Sequence, residues 1–459
     1  MTEQAYELLV IGAGAAGSSA ISAAQKDGRR IALVERNILG GTCLNYGCDP
    51  TKTLLHTARM LHRARHAAGY GLRIPQAQAD WAQVMARAQQ VIRQLRGGTN
   101  EEASAKLARQ GIDVLQGEAS FVTHHKLSVG GQFIVAERII IAIGCETVVP
   151  PIEGLQEAGY ITNAQAVSLP NLPRRLAIIG GGAIGIEFAQ MFSRFGIEVT
   201  VLERGSQLLD KEDRELAGQL CELLSKEGIR METGAELRRV QKDGECKRLT
   251  VRRESGAQDE LVVDEILLAM GRRPKLESLH LEAAGVKTGK KGIEVDATLR
   301  TNIPHIWAAG DVTSGYQFTH VAAEQGKLAA RNAFARDAQP FDDRAIPWAT
   351  FTDPALAHVG KTEEQLREEG IAYHVGRALF SQNERATIEG ESAGLVKLLV
   401  DTQGSILGGH ILAAHGDDLL APIVVAMHAN IPVSELAATI LPYPTFSEAV
   451  RVAAETIEQ

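Results

Sequence analysis

Residues 8–17 read Leu-Leu-Val-Ile-Gly-Ala-Gly-Ala-Ala-Gly, and residues 176–185 read Leu-Ala-Ile-Ile-Gly-Gly-Gly-Ala-Ile-Gly. In both stretches an apolar strand runs into a Gly-x-Gly-x-x-Gly turn, which in Rossmann-type units joins a parallel strand to a helix. Glu35 and Glu203 close the next apolar strands, each at the same spacing from the first glycine of its turn. The repeat therefore predicts two α/β units that each bind a dinucleotide.

The residue types in this pattern have a physical reason. The glycines let the backbone approach a pyrophosphate at a helix N-terminus, and the acid accepts hydrogen bonds from an adenosine ribose. A tight turn without a ligand is the alternative interpretation of each copy. The candidate cofactor-binding residues are Gly12, Gly14, Gly17 and Glu35 in the first copy and Gly180, Gly182, Gly185 and Glu203 in the second.

Two cysteines, Cys43 and Cys48, are separated by four residues and follow the first glycine turn. Pro50 suits the first turn of a helix and Asp49 suits its cap, so we expect Cys48 at a helix N-terminus, where the partial positive charge favours a thiolate. The pair predicts a redox disulfide beside a nucleotide cofactor. A reduced structural pair and half of a zinc site are the alternatives. The next cysteine, Cys145, is too far along the chain for the usual zinc spacing, so we predict no metal site.

The composition is that of an ordinary globular protein, since 45% of the 459 residues are hydrophobic and 23% are charged. This length suggests about three domains. The formal net charge of -8 argues against nucleic acid or an anionic membrane as a partner. We find no apolar run long enough to span a bilayer and no basic leader before the first strand. The five cysteines form no framework pattern, so we expect a reducing, cytoplasmic compartment.

Several further motifs extend the pattern over nearly the whole chain. They are Gly-Gly-Thr-Cys-Leu-Asn-Tyr-Gly-Cys-Asp-Pro-Thr-Lys at 40–52, Gly-Arg-Arg-Pro at 271–274, Thr-Asn-Ile-Pro-His-Ile-Trp-Ala-Ala-Gly-Asp at 301–311 and Tyr-Pro-Thr-Phe-Ser-Glu at 443–448. Together with the two glycine turns they resemble the flavoprotein (class I) pyridine nucleotide-disulfide oxidoreductase family. Dihydrolipoamide dehydrogenase and the core of mercuric reductase are the members that the chain resembles.

The resemblance implies an α/β fold with two Rossmann-like dinucleotide-binding domains and a C-terminal α+β dimerisation domain, assembled as a homodimer. It also implies FAD in the first unit and a nicotinamide nucleotide in the second. Prolines at 150–151 and between 170 and 173, and a polar patch at 342–344, suggest the domain boundaries. We expect residues 1–149 and 272–342 to form the FAD-binding domain, 150–271 the NAD(P)-binding domain and 343–459 the dimerisation domain.

Roles for individual residues follow from the same resemblance. Cys43 is similar to the thiol that meets the substrate, and Cys48 to the thiolate that makes a charge-transfer contact with the flavin. Lys52 is implied to lie near flavin N5, paired with Glu187.

Other positions resemble cofactor contacts of the family. Asp311 is similar to the ligand of the FAD ribitol. Phe318, Thr319 and His320 are implied to open a helix whose N-terminus faces the electron-accepting end of the flavin ring. The remaining implied cofactor contacts are Thr42, Ala119, Gly144 and Gly271.

Tyr443 departs from the family pattern, because the thiol reductases have an acid-base histidine there. An unperturbed tyrosine has a pKa about 3.5 units above that of histidine, so it is not a ready base near pH 7. Glu448 is similar to the acid that orients this histidine, but with Thr445 it also matches a capping box at the start of the last helix. Tyrosine at this position resembles the mercuric reductases, although this sequence lacks their C-terminal cysteine pair. The soluble transhydrogenase, another relative, lacks the full redox pair that is present here.

The resulting prediction is an FAD-dependent enzyme that passes hydride from NADH through FAD to the Cys43–Cys48 disulfide. A small-molecule or protein-borne disulfide is the expected acceptor. Alternatives are a metal ion or quinone acceptor, nicotinamide nucleotide transhydrogenation, and a non-catalytic flavoprotein subunit. NADH is expected over NADPH because Glu203 stands where a 2′-phosphate would lie. Asp49 is expected either to raise the pKa of Cys48 or only to cap the helix.

Overall fold

The first part of the chain forms a sheet that is parallel at its centre. The computed structural model of the chain describes residues 4–25 and 28–457. Its first part contains β1 Gln4–Ile11, α1 Ala15–Ala24, β2 Ile31–Glu35, α2 Gly41–Tyr46, α3 Cys48–Arg65, α4 Trp81–Arg96, α5 Asn100–Arg109, β3 Ile112–Gln116, β4 Ala119–Phe121, β5 Lys126–Val129, β6 Gln132–Ile141 and β7 Glu146–Thr147. Strands β3, β2, β1 and β6 pair in that order and in parallel, and β5 and β4 extend the sheet in antiparallel fashion.

The second sheet repeats this parallel arrangement with four strands in the order β10-β9-β8-β14. Three antiparallel strands, β11 to β13, form a separate small sheet in the same part of the chain. The elements are α6 Leu155–Ala158, α7 Asn163–Ala166, β8 Arg175–Ile179, α8 Ala183–Arg194, β9 Glu198–Leu202, α9 Arg214–Lys226, β10 Arg230–Glu232, β11 Ala235–Asp243, β12 Cys246–Arg253, β13 Gln258–Val263 and β14 Glu265–Leu268.

The chain then returns to the first sheet. The next elements are β15 Arg272–Arg273, α10 Leu281–Ala284, β16 Thr288–Gly289, β17 Gly292–Ile293, β18 Ile306–Ala308 and α11 Thr319–Phe334. Strand β18 pairs in parallel with β6, although the whole second sheet lies between them in the sequence. Helices α1 and α11 pack closely, because a Cβ on Gly326 would lie only 2.0 Å from the Ala16 carbonyl oxygen. This contact joins the first turn of α1 to the middle of α11.

The last part is built on a five-stranded antiparallel sheet in the order β19-β20-β23-β22-β21. Its elements are β19 Pro347–Thr350, β20 Ala355–Gly360, α12 Glu363–Glu368, β21 His374–Leu379, α13 Glu384–Glu389, β22 Leu395–Val400, β23 Ile406–Ala413, α14 Gly416–Leu419, α15 Ala421–His428, α16 Val433–Ala438 and α17 Glu448–Glu455. Within residues 4–25 and 28–457, no helix has both the length and the apolar character needed to cross a membrane.

The structure corrects the expected role of Asp49. Helix α3 begins at Cys48, with Gly47 at its N-cap position and no side chain capping it. Asp49 is therefore the second residue of the helix rather than its cap. The reason is that the chain turns at Gly47 alone, between α2 and α3, which leaves no non-helical residue at position 49. The expectation that Cys48 lies at a helix N-terminus and Pro50 in the first turn is confirmed.

Candidate functional site

The first glycine turn is shaped by close backbone contacts. Gly12 has φ +102°, and a Cβ there would lie 2.5 Å from the Ala142 carbonyl oxygen. A Cβ on Gly17 would lie 1.8 Å from the Gly12 carbonyl oxygen, so any side chain would separate helix and strand. At the end of β2, the Glu35 carboxylate accepts a hydrogen bond of 2.9 Å from the backbone N–H of Ala13 in the turn. The predicted acid therefore lies against the predicted turn.

The second turn repeats this geometry. Gly180 has φ +111°, and a Cβ there would lie 2.5 Å from the Ala269 carbonyl oxygen. A Cβ on Gly185 would lie 2.1 Å from the Gly180 carbonyl oxygen. The Glu203 carboxylate accepts backbone hydrogen bonds of 2.8 Å from Gly181 and 2.6 Å from Gly205.

The middle glycines of both turns, Gly14 and Gly182, have open space where a side chain would lie. Gly14 and Gly182 are the N-cap residues of α1 and α8, and no side chain caps either helix. A Cβ on Gly182 would meet nothing within 4 Å, and one on Gly14 would meet nothing closer than 3.9 Å. Uncapped N–H groups at a helix N-terminus attract phosphate. The two sites therefore fit the pyrophosphates of FAD and of a nicotinamide nucleotide.

Cys43 and Cys48 lie on two helices that meet at Gly47. Cys43 is on α2 and Cys48 is the first residue of α3, and both are partly exposed free thiols. The Cys48 Sγ is 3.3 Å from the Oγ1 of Thr319, which is the first residue of α11. Cys48 thus lies between the N-terminal ends of two helices, α3 and α11.

The two thiols have opposite pKa shifts. A hydrogen bond from the Cys43 thiol is the main cause that lowers the pKa of Cys48 to about 6, with help from Thr319 and from the charge of Lys52. Burial and the Asp49 carboxylate act in the opposite direction. The hydrogen bond with Cys48, followed by burial, raises the pKa of Cys43 above its ordinary value. The site therefore favours one thiolate, on Cys48, held by one protonated thiol, on Cys43.

Lys52, one turn after Cys48 on α3, makes the expected pair with Glu187. Its Nζ donates to Glu187 Oε2 at 2.8 Å, and Glu187 is only 5% exposed. The other carboxylate oxygen accepts from the backbone N–H of Phe351 at 2.9 Å. The ring of Phe351 also lies 4.4 Å from the Lys52 ammonium. These contacts fix the lysine in one orientation next to the dithiol.

Asp311 lies in the loop between β18 and α11. Its Oδ2 accepts from Arg272 Nη1 at 2.8 Å, and Arg272 also donates to the Cys145 carbonyl oxygen at 3.0 Å. The Cys145 thiol donates in turn to the Asp311 carbonyl oxygen at 3.0 Å. Burial and the nearby Asp311 charge raise the pKa of Cys145 to about 12, so this cysteine stays protonated.

Comparison with known proteins identifies the family. The pyridine nucleotide-disulphide oxidoreductase profile matches residues 6–326, and the profile of the dimerisation domain of the same family matches residues 346–454. The chain belongs to the pyridine nucleotide-disulphide oxidoreductase family. The predicted α/β fold is confirmed, as is the prediction of an FAD-dependent, NAD(P)H-using enzyme.

Individual relatives cover the chain almost completely. Mercuric reductase from Staphylococcus aureus is 36% identical over 99% of this chain and 83% of its own length. Dihydrolipoyl dehydrogenase from Bacillus subtilis is 34% identical over 97% of both chains. A solved structure, the Cu(II) complex of the HOCl-induced flavoprotein disulfide reductase RclA from Escherichia coli, is 33% identical with a TM-score of 0.88 and covers 100% of both chains.

In this oxidoreductase, Tyr443 and Glu448 belong to the dimerisation domain. Tyr443 is 69% exposed, and its hydroxyl donates to the Glu384 carboxylate. The Glu448 carboxylate accepts from the backbone N–H of Thr445 at 3.0 Å, which is one half of the expected capping box. The Thr445 hydroxyl donates instead to the Pro442 carbonyl oxygen, so the other half is not formed. Among the described residues of one chain, no hydrogen bond or ion pair joins Tyr443 or Glu448 to the dithiol.

The remaining expected cofactor contacts lie on loops and element ends of the oxidoreductase fold. Thr42 is on α2 beside Cys43, and Ala119 begins β4. Gly144 and Gly271 have φ +68° and +106°, and a Cβ on either would meet nothing within 4 Å. Their proposed contacts with cofactor stay predictions.

Sequence reasoning missed residues that act through contacts distant in sequence. Arg272 lies within a quoted motif, but its ion pair with Asp311 was not foreseen. Phe351 contacts both members of the Lys52–Glu187 pair, and no local pattern marks it.

Proposed function

We propose that Cys43 and Cys48 form the redox pair of an NADH-dependent oxidoreductase that reduces a disulfide acceptor. The observation that carries the proposal is the asymmetry of the two thiols. Cys48, at the start of α3, has a pKa lowered to about 6 by the Cys43 hydrogen bond, whereas the pKa of Cys43 is raised. One thiolate and one thiol at neutral pH suit a pair that exchanges electrons on one side and meets substrate on the other.

The chemistry divides between cofactors and protein residues. FAD, when bound, supplies the electron pair that it takes as hydride from NADH. Opening the Cys43–Cys48 disulfide to one thiol, on Cys43, and one thiolate, on Cys48, takes two electrons and one proton. In the next step Cys43 passes its proton to the Cys48 thiolate, and the Cys43 sulfur attacks the acceptor disulfide. The first acceptor thiolate leaves and takes that proton from Cys48. The Cys48 thiolate then attacks the Cys43 sulfur of the mixed disulfide, which closes the Cys43–Cys48 bond and releases the second acceptor thiolate, and this takes a proton from solvent.

Lys52 and Thr319 have supporting roles in this proposal. The ammonium of Lys52 and the hydroxyl of Thr319 both favour the charged form of Cys48. The ion pair with the buried Glu187 holds the lysine in place. The side chains of Asp311 and Arg272 and the two glycine turns are the proposed contacts for the cofactors.

Glu203 supports NADH as the preferred donor. Both of its oxygens accept backbone hydrogen bonds, so the carboxylate is fixed at the edge of the second turn. An anion at this place repels a 2′-phosphate. Arg204 acts in the opposite direction, because its positive charge attracts a 2′-phosphate. It lines a cavity of about 510 Å³ together with Ser206 and Arg252.

We further propose a homodimer and a cytoplasmic location. The match to a dimerisation domain supports the first proposal. Two exposed side chains of that domain, Ile440 at 97% and Tyr443 at 69%, are then expected to be covered by the partner. The free thiols of Cys145, Cys221 and Cys246 support a reducing compartment.

A comparison of acceptors tests the proposal. Purified holoenzyme is given NADH with lipoamide, glutathione disulfide, Hg(II), Cu(II), a quinone or a nicotinamide analogue, and kcat/KM is measured for each. We expect a disulfide to give the highest value and Cys43→Ser to abolish it. A quinone or nicotinamide analogue that exceeds every disulfide, with Cys43→Ser fully active, would overturn the proposal.

A metal-ion acceptor is the second candidate. The position of the acid-base histidine is taken by Tyr443, whose hydroxyl donates to Glu384. Relatives named mercuric reductase, and the Cu(II) complex of RclA, agree with this candidate. In the same screen, Hg(II) or Cu(II) reduction that needs both cysteines and exceeds every disulfide would favour it.

A further inference from the structure

Thr319 is placed by its two neighbours in sequence. Thr319 is the first residue of α11, and no side chain caps this helix. The Thr319 hydroxyl lies 3.3 Å from Cys48 Sγ. The Phe318 ring, just before it, stacks on Trp348 at 5.4 Å with 15° between the rings. The His320 ring, just after it, stacks on the Phe318 ring at 5.6 Å with 10° between the planes. Both residues that flank Thr319 therefore belong to one stack of rings, and Trp348 of β19 holds this stack at the Phe318 ring.

Trp348 is itself fixed from two other parts of the chain. Its Nε1 donates to Glu212 Oε1 at 2.7 Å. Its ring stacks on His358 at 3.8 Å with 16° between the planes, since the two residues are directly opposite in the β19–β20 pair. Glu212 is 5% exposed and His358 is 1% exposed. The His358 Nδ1 is 3.3 Å from Glu212 Oε2, and its Nε2 makes a 2.8 Å hydrogen bond to the Gly360 carbonyl oxygen.

A buried carboxylate is costly unless it has hydrogen-bond partners, so Glu212 strongly favours the Trp348 orientation that donates to it. An aromatic ring clamped by a hydrogen bond and by a stacked imidazole cannot rotate freely. The face that it offers to Phe318 is therefore constant. Phe318, the N-cap residue of α11, therefore packs on a ring of fixed orientation.

We propose that Trp348 is a positioning residue that holds Thr319 against the Cys48 sulfur, with Glu212 and His358 fixing Trp348. The inference rests on the proposed role of Cys48 as the redox thiolate. Glu212 precedes α9 in the segment that follows Glu203, the proposed ribose ligand. The contacts among Glu212, Trp348 and His358 therefore also link the nucleotide-binding part of the chain to the redox pair.

The readout is the pH midpoint of Cys48 alkylation. Holoprotein reduced with dithiothreitol is treated with iodoacetamide across a range of pH, and fragment-ion mass spectrometry separates Cys48 from Cys43. Thr319→Val removes the hydroxyl and gives the reference shift, an increase of about one pH unit for loss of a hydrogen bond to a charged group. Trp348→Leu is expected to raise the midpoint by about half a unit to one unit.

Two further variants separate positioning from general damage. Trp348→Phe keeps a ring for Phe318 but loses the Glu212 hydrogen bond, so it remains informative if Trp348→Leu does not fold. In the double variant with Thr319→Val, the Trp348→Phe change should add no shift, because both act on one hydrogen bond. Trp81→Leu is the matched control, since Trp81 is also hydrogen-bonded, to Leu169, and contacts none of residues 318–320.

The outcomes are distinct. An unchanged midpoint in folded, flavin-loaded Trp348 variants would overturn the inference while leaving the proposed function intact. An equal shift in the Thr319→Val background, or in Trp81→Leu, would overturn it as well. A wild-type midpoint near the ordinary thiol value, about 8.5, would instead remove the basis of the proposed function.

Discussion

At the scale of single residues, the chemistry of the site depends on charges around Cys48. The Cys43 thiol, the Thr319 hydroxyl and Lys52 favour the thiolate, whereas burial and Asp49 oppose it. Burial raises the pKa of Asp49 itself, and Lys52 partly offsets this shift. Asp49 is not the helix cap, and it acts on Cys48 through its charge.

We expect Asp49→Asn to lower the pKa of Cys48 further, by about half a unit to one unit, because a like charge near the thiolate is removed. The wild-type thiolate is present above pH 6 and lost below it, so the variant keeps its thiolate to lower pH. The measurement is the pH dependence of Cys48 alkylation in the reduced protein. Glu101→Gln, which removes a first-turn carboxylate from α5 instead, is the control. A higher pKa in Asp49→Asn would contradict this account.

Nucleotide preference is a second prediction at this scale. A 2′-phosphate about 4 Å from Glu203 costs on the order of 4 kcal/mol at an effective dielectric near 20. After screening by solvent and Arg204, we expect kcat/KM for NADH to exceed that for NADPH by about tenfold or more. Glu203→Ala should lower the ratio of kcat/KM for NADH to that for NADPH, whereas Glu198→Ala, at the start of β9, should leave this ratio unchanged. Equal kcat/KM values in the wild type would refute the assignment.

Tyr443 gives a third prediction. Tyr443→His is expected to raise the turnover of lipoamide or glutathione disulfide, because an imidazole exchanges protons near pH 7 and a phenol does not. Tyr70→His is a matched control, since Tyr70 is also an exposed tyrosine, at 62%, with its hydroxyl bonded to the Glu389 carbonyl oxygen. Unchanged or lower disulfide turnover at normal flavin content would argue that Tyr443 does not face the substrate.

At the scale of elements, α9 and the last sheet are joined by a buried charge cluster. The Lys397 ammonium, on β22, is 1% exposed and donates to Asp213 at 2.9 Å and to Glu215 at 3.0 Å. Glu363 is a third partner. Asp213 is also the N-cap of α9, so this cluster fixes the start of that helix. Burial lowers the pKa of Lys397, but its three carboxylate partners raise it above the ordinary value overall.

We expect Lys397→Met to destabilise the protein by about 3 kcal/mol or more, because it leaves a buried carboxylate without a cation. Urea unfolding of the holoprotein measures the effect. Lys361→Met is the control, since the Lys361–Glu369 pair is exposed and such pairs contribute about 1 kcal/mol or less. Equal losses of unfolding free energy in Lys397→Met and Lys361→Met would show that the buried cluster stabilises the protein no more than an exposed ion pair does.

At the scale of the whole molecule, local sequence signals predicted the two parallel sheets. The glycine turns and their acids lie next to each other in sequence and in space, so periodicity and spacing were sufficient. The Lys52–Glu187 pair was expected only from the family resemblance, because the two residues are on helices that lie far apart in the sequence. The Glu212–Trp348–His358 contacts depend on strand register and packing between domains, which no local pattern encodes. The three domain boundaries stay predictions.

The central claim is that Cys43 and Cys48 carry electrons from NADH to the acceptor. Differential alkylation of the holoenzyme, before and after one equivalent of NADH without oxygen, tests it directly. We predict that both cysteines are protected before NADH, reactive after it, and protected again once lipoamide or glutathione disulfide is added. Cys145, Cys221 and Cys246 should keep constant reactivity throughout. Cys43 and Cys48 that never change state while the acceptor is still reduced would contradict the account.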